Sequence, residues 1–286
     1  MIDIVVNKNS GKGNGAKCLE AATSYLDSRS IEYAVHPTEC VGHGCAITKE
    51  LCERGADVIT AIGGDGTFHE VLNGMDFEKA RMGLIPSGRG NDFAIGTKAT
   101  SFDPVKAIAD IVRGEHKDLD YIQVSDKRCI NVAGTGLDVE VLLKAAKSKN
   151  KLSYVASLFR CLLKFKPYPV EVTANGENRS YNCIMVGVCN GTQIGGGIRL
   201  SPISIADDGK LDVIVMEKPK HIPTVLVMPK FVKGKHMKKP YTHHILCESV
   251  SVKTPAPLQL DGEIYYDLPF NAHVVKGGLK TFSHKD

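Results

Sequence analysis

The segment Ile62-Gly63-Gly64-Asp65-Gly66-Thr67, with Phe68 to Gly74 behind it, constrains this chain more than any other stretch. It follows an apolar run, Asp57 to Ile62, with the texture of a buried parallel strand. It then opens a short helical pattern that stops at Gly74. A glycine-rich turn between a strand and a helix N-terminus presents backbone N–H groups that have no intrahelical partner, which suits phosphate. Asp65 within that turn would repel a phosphate unless a cation or a proton intervened. Phosphate with a metal, or phosphate with a reacting hydroxyl, reconciles the two.

Around this loop, strand and helix patterns alternate. Ile2 to Val6, Tyr33 to His36, Asp57 to Ile62 and Met82 to Ile85 read as strands. Ala16 to Leu26, Ala46 to Glu53 and Thr67 to Leu72 read as helices. Asp103-Pro104-Val105 is an N-cap with proline at the first helical position, and that helix ends at Arg113-Gly114. Such alternation predicts a doubly wound parallel sheet whose ligand lies beyond the carboxyl ends of its strands.

After about residue 118 short strand patterns take over: Leu119 to Val124, Cys129 to Ala133, Val170 to Ala174, Tyr181 to Cys189, Leu211 to Met216, Cys247 to Val252 and Leu258 to Leu260. Asn175-Gly176 signals a two-residue hairpin. Helical patterns appear near Val139 to Lys147, Ser153 to Leu163 and Ile222 to Val232. This half is expected to be a β-sandwich with inserted helices. A chain of 286 residues suits two such domains, each able to bury a core.

The apolar fraction of 43% and charged fraction of 24% are ordinary globular values and argue against disorder. With a net charge of only +4, no tryptophan and no recognition module, nothing supports nucleic-acid binding. Met1 to Asn7 reads as the first strand rather than a signal peptide. The apolar stretch Leu152 to Phe165 is broken by Arg160 and Lys164, so it does not read as a membrane span. Nine cysteines without paired spacing suggest reduced thiols in a cytoplasmic protein. Cys40, His43, Cys45 and Cys52 fit no zinc pattern, and buried or incidental thiols are the better reading.

Three further glycine-rich loops join the first. Asn7-Lys8-Asn9-Ser10-Gly11-Lys12-Gly13 follows strand one and is neither a Walker A loop nor GxGxxG. Pro86-Ser87-Gly88-Arg89-Gly90-Asn91-Asp92-Phe93-Ala94 again follows a strand. Gly195-Gly196-Gly197-Ile198-Arg199-Leu200-Ser201-Pro202 leads to Asp207-Asp208-Gly209-Lys210-Leu211-Asp212. Three of these, in one α/β half and each after a strand, face the same sheet edge.

Gly-Gly-Asp-Gly-Thr with Glu-Val-x-Asn-Gly, Pro-x-Gly-x-x-Asn-Asp-Phe-Ala, the Asp-Asp-Gly-x-Leu-Asp turn and Asp261-Gly262-Glu263 occur here in that order. Over nearly the whole chain this resembles the diacylglycerol kinase catalytic family. The bacterial soluble lipid kinases are most similar, and sphingosine kinases and NAD kinases more distant. The resemblance implies an ATP-binding α/β domain over 1–120, with the tail near 277–286 able to pack back on it. It implies a β-rich lipid-substrate and metal-binding domain over 121–276.

By the same resemblance, ATP is held by Asn7, Lys8, Asn9, Ser10 and Gly11, and by Gly64, Asp65, Gly66 and Thr67. Phe68, His69, Glu70, Thr38 and Arg89 complete that set, although Arg89 stands where many relatives carry a small polar residue. His69 taken by itself reads as a packed or surface histidine. Mg²⁺ is implied beside Asp65, Asp92 and Asp120, with Glu263 as the base that deprotonates the lipid hydroxyl. A structural Mg²⁺ is implied at Asp208 and the carbonyls of Ile205 and Lys210. Bland readings stand beside these: an N-cap for Asp92, a strand end for Asp120, a turn for Glu263, and an Asx turn at Asp208.

From Lys218 to Cys247 there are seven lysines, four histidines and no acidic residue. With Val225 to Met228, Phe231 and Val232, this reads either as a surface for transient docking on anionic membrane or as a solvated face over a core. The expectation is thus a cytoplasmic lipid kinase with peripheral membrane association. A homodimer stays open. An NAD kinase-type enzyme and a non-catalytic nucleotide- or lipid-binding regulator are the rivals.

Overall fold

The computed structural model describes residues 1–146, 165–218 and 224–284. The chain divides into two compact units. One comprises Met1–Tyr121, Ala206–Asp208 and Val275–Asp286; the other comprises Ile122–Ile205 and Gly209–Val274.

The first unit is a four-stranded parallel sheet in the order β2-β1-β3-β4. Its strands are β1 (Ile2–Val6), β2 (Tyr33–Pro37), β3 (Val58–Gly63) and β4 (Arg81–Pro86). The helices are α1 (Ser10–Asp27), α2 (His43–Glu53), α3 (Asp65–Gly74), α4 (Asp92–Thr97) and α5 (Pro104–Arg113). β1 is buried throughout and β3 and β4 nearly so, as parallel strands covered on both faces must be. On one face Ile2, Ile4, Val6, Ile62 and Ile85 pack against Cys18, Ala22 and Leu26 of α1 and Ala107, Ile108 and Ile111 of α5.

Phe282 belongs to that same core, and nearby contacts tie the final strand to this unit. Thr281 Oγ1 donates to the Met82 carbonyl at 2.7 Å, and His284 meets Asp110 at 2.6 Å. Lys280 meets Asp118 at 2.7 Å. That bond and the Arg81 guanidinium hold the Asp118 carboxyl below its usual range.

The second unit is an antiparallel β-sandwich. Its strands are β5 (His116–Val124, entering from the first unit), β6 (Lys127–Cys129), β7 (Val132–Gly136), β8 (Tyr168–Ala174), β9 (Glu177–Cys189) and β10 (Leu211–Glu217). They continue with β11 (Thr242–Cys247), β12 (Ser249–Lys253), β13 (Leu258–Leu260), β14 (Glu263–Tyr265) and β15 (Phe270–Phe282, leaving for the first unit). The central order is β14-β13-β7-β9-β8-β12, with β10 between β9 and β11. Helices α6 (Leu137–Ala146) and α7 (Thr224–Val232) are inserted. The core alternates along strands: Val170, Val172 and Ala174 of β8 and Val250 and Val252 of β12 point inward.

Several boundaries differ from the sequence pattern, each for a physical reason. The single strand expected over Cys129 to Ala133 is two, because Ile130 and Asn131 turn their amides to Asp261. The single strand expected over Cys247 to Val252 splits at Glu248 into β11 and β12. β14 and β15 were not anticipated: β14 is only three residues long, and Gly277-Gly278 interrupts the alternation of β15. The expected helix over Ser153 to Leu163 lies outside the described residues, as do Lys147 and Ile222. Asn175 and Gly176 take φ of 53° and 78°, the two left-handed positions that the β8–β9 hairpin demands.

The α5 terminus formed as its sequence predicts. Asp103 accepts from the Val105 and Lys106 amides, and Gly114 ends the helix at φ 74°. We expect Asp103→Ala to cost about 1 kcal/mol, read as a drop of about 2–4 °C in the thermal midpoint.

Candidate active site

In the first unit the loops after three adjacent strands meet. Their ends continue the sheet ladder: the Asn7 amide donates to Ile62 O at 3.0 Å, Ser87 to Gly63 O at 2.8 Å and Thr38 to Val6 O at 2.9 Å. Ser10 Oγ and Ser87 Oγ then join the first and third loops at 2.5 Å. The second and third loops touch through bare backbone. A Cβ on Gly88 would lie 2.5 Å from the Gly64 Cα, and one on Gly64 3.0 Å from the Gly88 Cα. Only glycine permits that approach.

The first loop is a left-handed turn, with φ of 57°, 64° and 89° at Gly11, Lys12 and Gly13. Lys12 is the costly member, since a residue with a Cβ loses on the order of 1 kcal/mol there. The amides of Asn9 and Ser10, expected to hold phosphate, are already engaged by Asn7: Asn9 N donates to Asn7 Oδ1 and Ser10 N to Asn7 O, both at 3.1 Å. Gly11 and Lys12 therefore carry the backbone donors of this loop that precede the helical ladder.

In the second loop, α3 begins at Asp65, and Phe68 N is the first amide to bond back, to Gly64 O at 3.0 Å. Over Gly66 a Cβ would meet nothing within 4 Å, so the first turn of α3 opens to space. Asp65 Oδ1 accepts the Phe93 amide at 3.3 Å, which sets it on the first turn of α4 beside Asp92. Asp92 itself is 5% exposed. Asn91 holds the turn, at φ 51°, by accepting from Gly88 N at 2.9 Å and donating to Gly88 O at 3.0 Å. Arg89, Lys8 and Lys12 are exposed around these loops.

Not every expected residue offers its side chain to this place. Phe68 is fully buried and His69 is buried against Asn73, so their side chains belong to the core. Glu70 caps α2, its two oxygens accepting from Gly42 N and Gly44 N at 2.8 Å each. Asp120 is 2% exposed, and its Oδ1 accepts from Gly277 N at 2.7 Å. Both carboxylates have internal partners that the sequence pattern did not show. Cys52 is buried and accepts the Asp76 amide, and His43 accepts from Glu39 N at 3.1 Å.

In the second unit, Glu263 opens β14 directly after the turn Asp261-Gly262, with φ of 51° and 98°. Its side chain is exposed. The turn is clamped by Asp261: Oδ2 accepts from Ile130 N at 2.8 Å, and Oδ1 from Asn131 N at 2.9 Å and Val132 N at 3.2 Å. The Cys129 thiol also donates to Oδ1 at 3.2 Å; burial and the neighbouring carboxylate push that thiol far up. Gln259 Oε1 accepts from Gly262 N at 2.8 Å, while its Nε2 donates to Val132 O. The sequence showed Asp261 only as part of the Asp261-Gly262-Glu263 motif and Gln259 not at all, because their partners at 130–132 lie some 130 residues away.

Asp138, at the start of α6, sits over the same surface. A Cβ on Gly134 would come within 2.2 Å of Asp138 Oδ2 and 2.9 Å of Gln259 Nε2. Both Asp138 oxygens are shut off from water without a well-formed hydrogen bond, and burial raises the carboxyl to about 6.

The turn at Asp208 has an exposed carboxylate and Gly209 at φ 70°. Next to it, Asp207 meets Lys117 at 3.7 Å. Among the described residues no three His, Cys, Asp or Glu side chains gather as a metal cluster. The basic segment is partly neutralised by cross-strand partners on β10: His243 meets Glu217 at 3.0 Å and His244 meets Asp212 at 2.6 Å. His236 is fully buried, bonded to Leu200 O, and burial lowers its pKa. Phe231 is core, while Leu226 is 65% exposed. Among the described residues no helix is long and apolar enough to cross a membrane.

Residues 2–124 match the diacylglycerol kinase catalytic domain, and residues 131–283 match the YegS C-terminal NAD kinase beta sandwich-like domain. The diacylglycerol kinase of Bacillus subtilis (strain 168) is 28% identical over 93% of this chain and 90% of its own length. The "Probable lipid kinase YegS-like" of Enterobacter sp. (strain 638) is 30% identical over 75% of each chain. Two solved structures from Bacillus anthracis str. Sterne share the fold, with TM-scores of 0.80 and 0.74 at 22% and 19% identity; each spans 99% of this chain and 96% of its own. The second of these is the crystal structure of a diacylglycerol kinase. The class is therefore a phosphotransferase with an alcohol group as acceptor. The chain belongs to the family of diacylglycerol kinases and YegS-like lipid kinases.

Asp261→Asn keeps the left-handed turn but sets an amide N–H₂ against a backbone N–H. We expect it to lose about 2 kcal/mol of stability in denaturant melts. The raised Asp138 carboxyl makes its own prediction. Its contribution is fully present below the unfolded value near 4 and is lost as pH rises through about 6. Asp138→Asn should remove that slope and be the more stable protein at pH 7, by up to about 3 kcal/mol.

Proposed function

We propose that the protein is an ATP-dependent lipid kinase that phosphorylates a hydroxyl of diacylglycerol or a related lipid. The observation that carries this is the meeting of three glycine loops from adjacent parallel strands around the open first turn of α3. The first unit is the nucleotide-binding domain in this reading, and the second receives the lipid.

Polyphosphate fits what the loops offer. The amides of Gly11, Lys12, Gly64, Gly66 and Thr67 supply neutral donors at a helix N-terminus, where the helix dipole adds about half a positive charge. Lys8, Lys12 and Arg89 supply exposed cations around them. Thr38, at the end of β2, and the Asn7 to Ser10 turn shape the same rim. Two carboxylates at such a place, Asp65 and Asp92, fit only with a divalent cation between them and the phosphates. Bound Mg²⁺ would offset the charge that develops on the transferring phosphoryl group. A second, structural Mg²⁺ is assigned to Asp208 with the carbonyls of Ile205 and Lys210, an all-oxygen set on one turn of chain.

Glu263 acts as the general base and takes the proton from the lipid hydroxyl as that oxygen attacks. Its support is the Asp261 clamp, which fixes the turn and leaves the Glu263 side chain exposed beside it. The exposed Leu226 beside Lys230, Lys233 and Lys235 supports brief docking on anionic membrane.

Glu263→Gln should lower kcat about 10²–10⁴-fold for radiolabelled phosphate transfer from ATP to lipid extract. Nucleotide affinity, measured by calorimetry with a non-hydrolysable ATP analogue, should stay unchanged. Substantial remaining transfer would remove Glu263 from the role.

A further inference from the structure

The side of β13 that faces α6 carries a buried acid that the proposed chemistry leaves idle. Asp138, in the first turn of α6, and Gln259 of β13 both stand over Gly134 of β7. A side chain at 134 would collide with Asp138 Oδ2 at 2.2 Å, so only glycine leaves room for the two groups to lie together. From there Gln259 reaches two ways. Its Oε1 accepts from Gly262 N at 2.8 Å, and its Nε2 donates to Val132 O at 3.3 Å. An amide NH₂ has a second hydrogen to place, and the acceptor beside it is the Asp138 carboxyl.

Glu263 pairs with Leu260 and so lies on the opposite face of the ladder from Gln259. Asp138 therefore does not touch it. The link crosses the sheet through the backbone, because Gly262 directly precedes Glu263 and sits in a left-handed turn, with φ of 51° at Asp261 and 98° at Gly262. The two charge states of Asp138 ask different things of Gln259. An ionised carboxylate only accepts, so it favours Nε2 toward itself and leaves Oε1 for Gly262. A carboxylic acid carries an O–H that needs an acceptor, in a place closed to water. Gln259 Oε1 meets that need if the amide turns over, and Nε2 then faces Gly262 N, donor against donor.

Burial raises the Asp138 carboxyl to about 6, with the Val139 amide, Gln259 and the amide of Asp138 itself drawing it the other way. Neither β7 nor β13 carries an ionisable side chain. On β9 the Cys189 thiol is pushed far up, by burial first and then by Asp212 and Asp138; on β8 burial raises the Tyr168 hydroxyl. Asp212 of β10 has His244 at 2.6 Å, and Glu140 and Lys144 of α6 meet each other at 3.5 Å.

We propose that Asp138 is a positioning residue for Glu263: its ionised carboxylate, acting through the Gln259 amide, keeps the Gly262 turn formed, and uptake of a proton releases that turn. This rests on the proposed role of Glu263 and deepens it. Stability and a fixed base then call for opposite charge states of one side chain, since the folded protein favours protonated Asp138.

The test uses the full chain and two variants. Asp138→Asn should fold and be the more stable form, while Gln259→Met keeps Asp138 and removes the amide. In protein labelled with ¹⁵N-glycine, the Gly262 amide signal should show a titration step at about pH 6 in wild type and lack it in both variants. At saturating ATP, wild-type kcat for dioleoylglycerol should fall about fourfold from about pH 7.5 to about pH 5.5, as one proton at about 6 demands, and Asp138→Asn should lose that step. At about pH 7.5, Gln259→Met should lower kcat by up to about 10²-fold while KM for ATP holds. A Gly262 step that persists in Asp138→Asn, no step in wild type, or the same acid fall of kcat in both proteins overturns the proposal. A Gly262 step that follows Asp138, in a protein that phosphorylates neither dioleoylglycerol nor lipid extract, sustains the link to the turn and sinks the kinase reading instead.

Discussion

Backbone amides that no helix or strand can satisfy govern both units of this protein. At the start of every α-helix several N–H groups lack an intrahelical partner, and side chains, water or a ligand must satisfy them. α2 receives the Glu70 carboxylate, α4 receives Asp65, and α5 receives Asp103. α3 begins at Gly64-Asp65-Gly66, where no side chain folds over the amides. Carboxylates thus cap α2, α4 and α5, while the first turn of α3 opens to space.

The second unit applies the same chemistry in reverse. At residues 130–132 the strand breaks and three amides point away from the ladder, and Asp261 collects all three. Because Asp261 also begins the turn before Glu263, the position of one carboxylate is set by the hydrogen bonds of another. Gln259 extends this order by holding Gly262 on one side and facing Asp138 on the other. Glu263 itself needs few contacts. Its backbone is held through the Asp261 and Gln259 hydrogen bonds, and its side chain is exposed.

What the sequence made legible follows from the range of the interactions. The three glycine-rich loops were readable because each combines a buried strand, glycines and a helix start within about ten residues. α5 was readable from Asp103-Pro104 at one end and Gly114 at the other. The break at Ile130 was not, because its cause is Asp261. The roles of Glu70 and Asp120 were hidden for the same reason: their partners, Gly42, Gly44 and Gly277, come from distant chain. The basic run after Lys218 looked uniformly cationic until β10 placed Asp212 and Glu217 opposite His244 and His243. Periodicity locates elements; it does not say which strands lie side by side.

The parallel-sheet unit is assembled from both extremes of the chain. Residues 275–284 place Phe282 in its core, lay Thr281 on the Met82 carbonyl and anchor His284 on α5. Between Tyr121 and Val275 the polypeptide builds the other unit, apart from Ala206–Asp208. During synthesis, therefore, the part that begins first is completed last. Its early strands must wait on the ribosome, with one seam of their core open, until the sandwich has been made and the final strand emerges. Gene fusion or truncation that treats residues 1–121 as a portable cassette would cut away that seam, however well its own motifs were preserved.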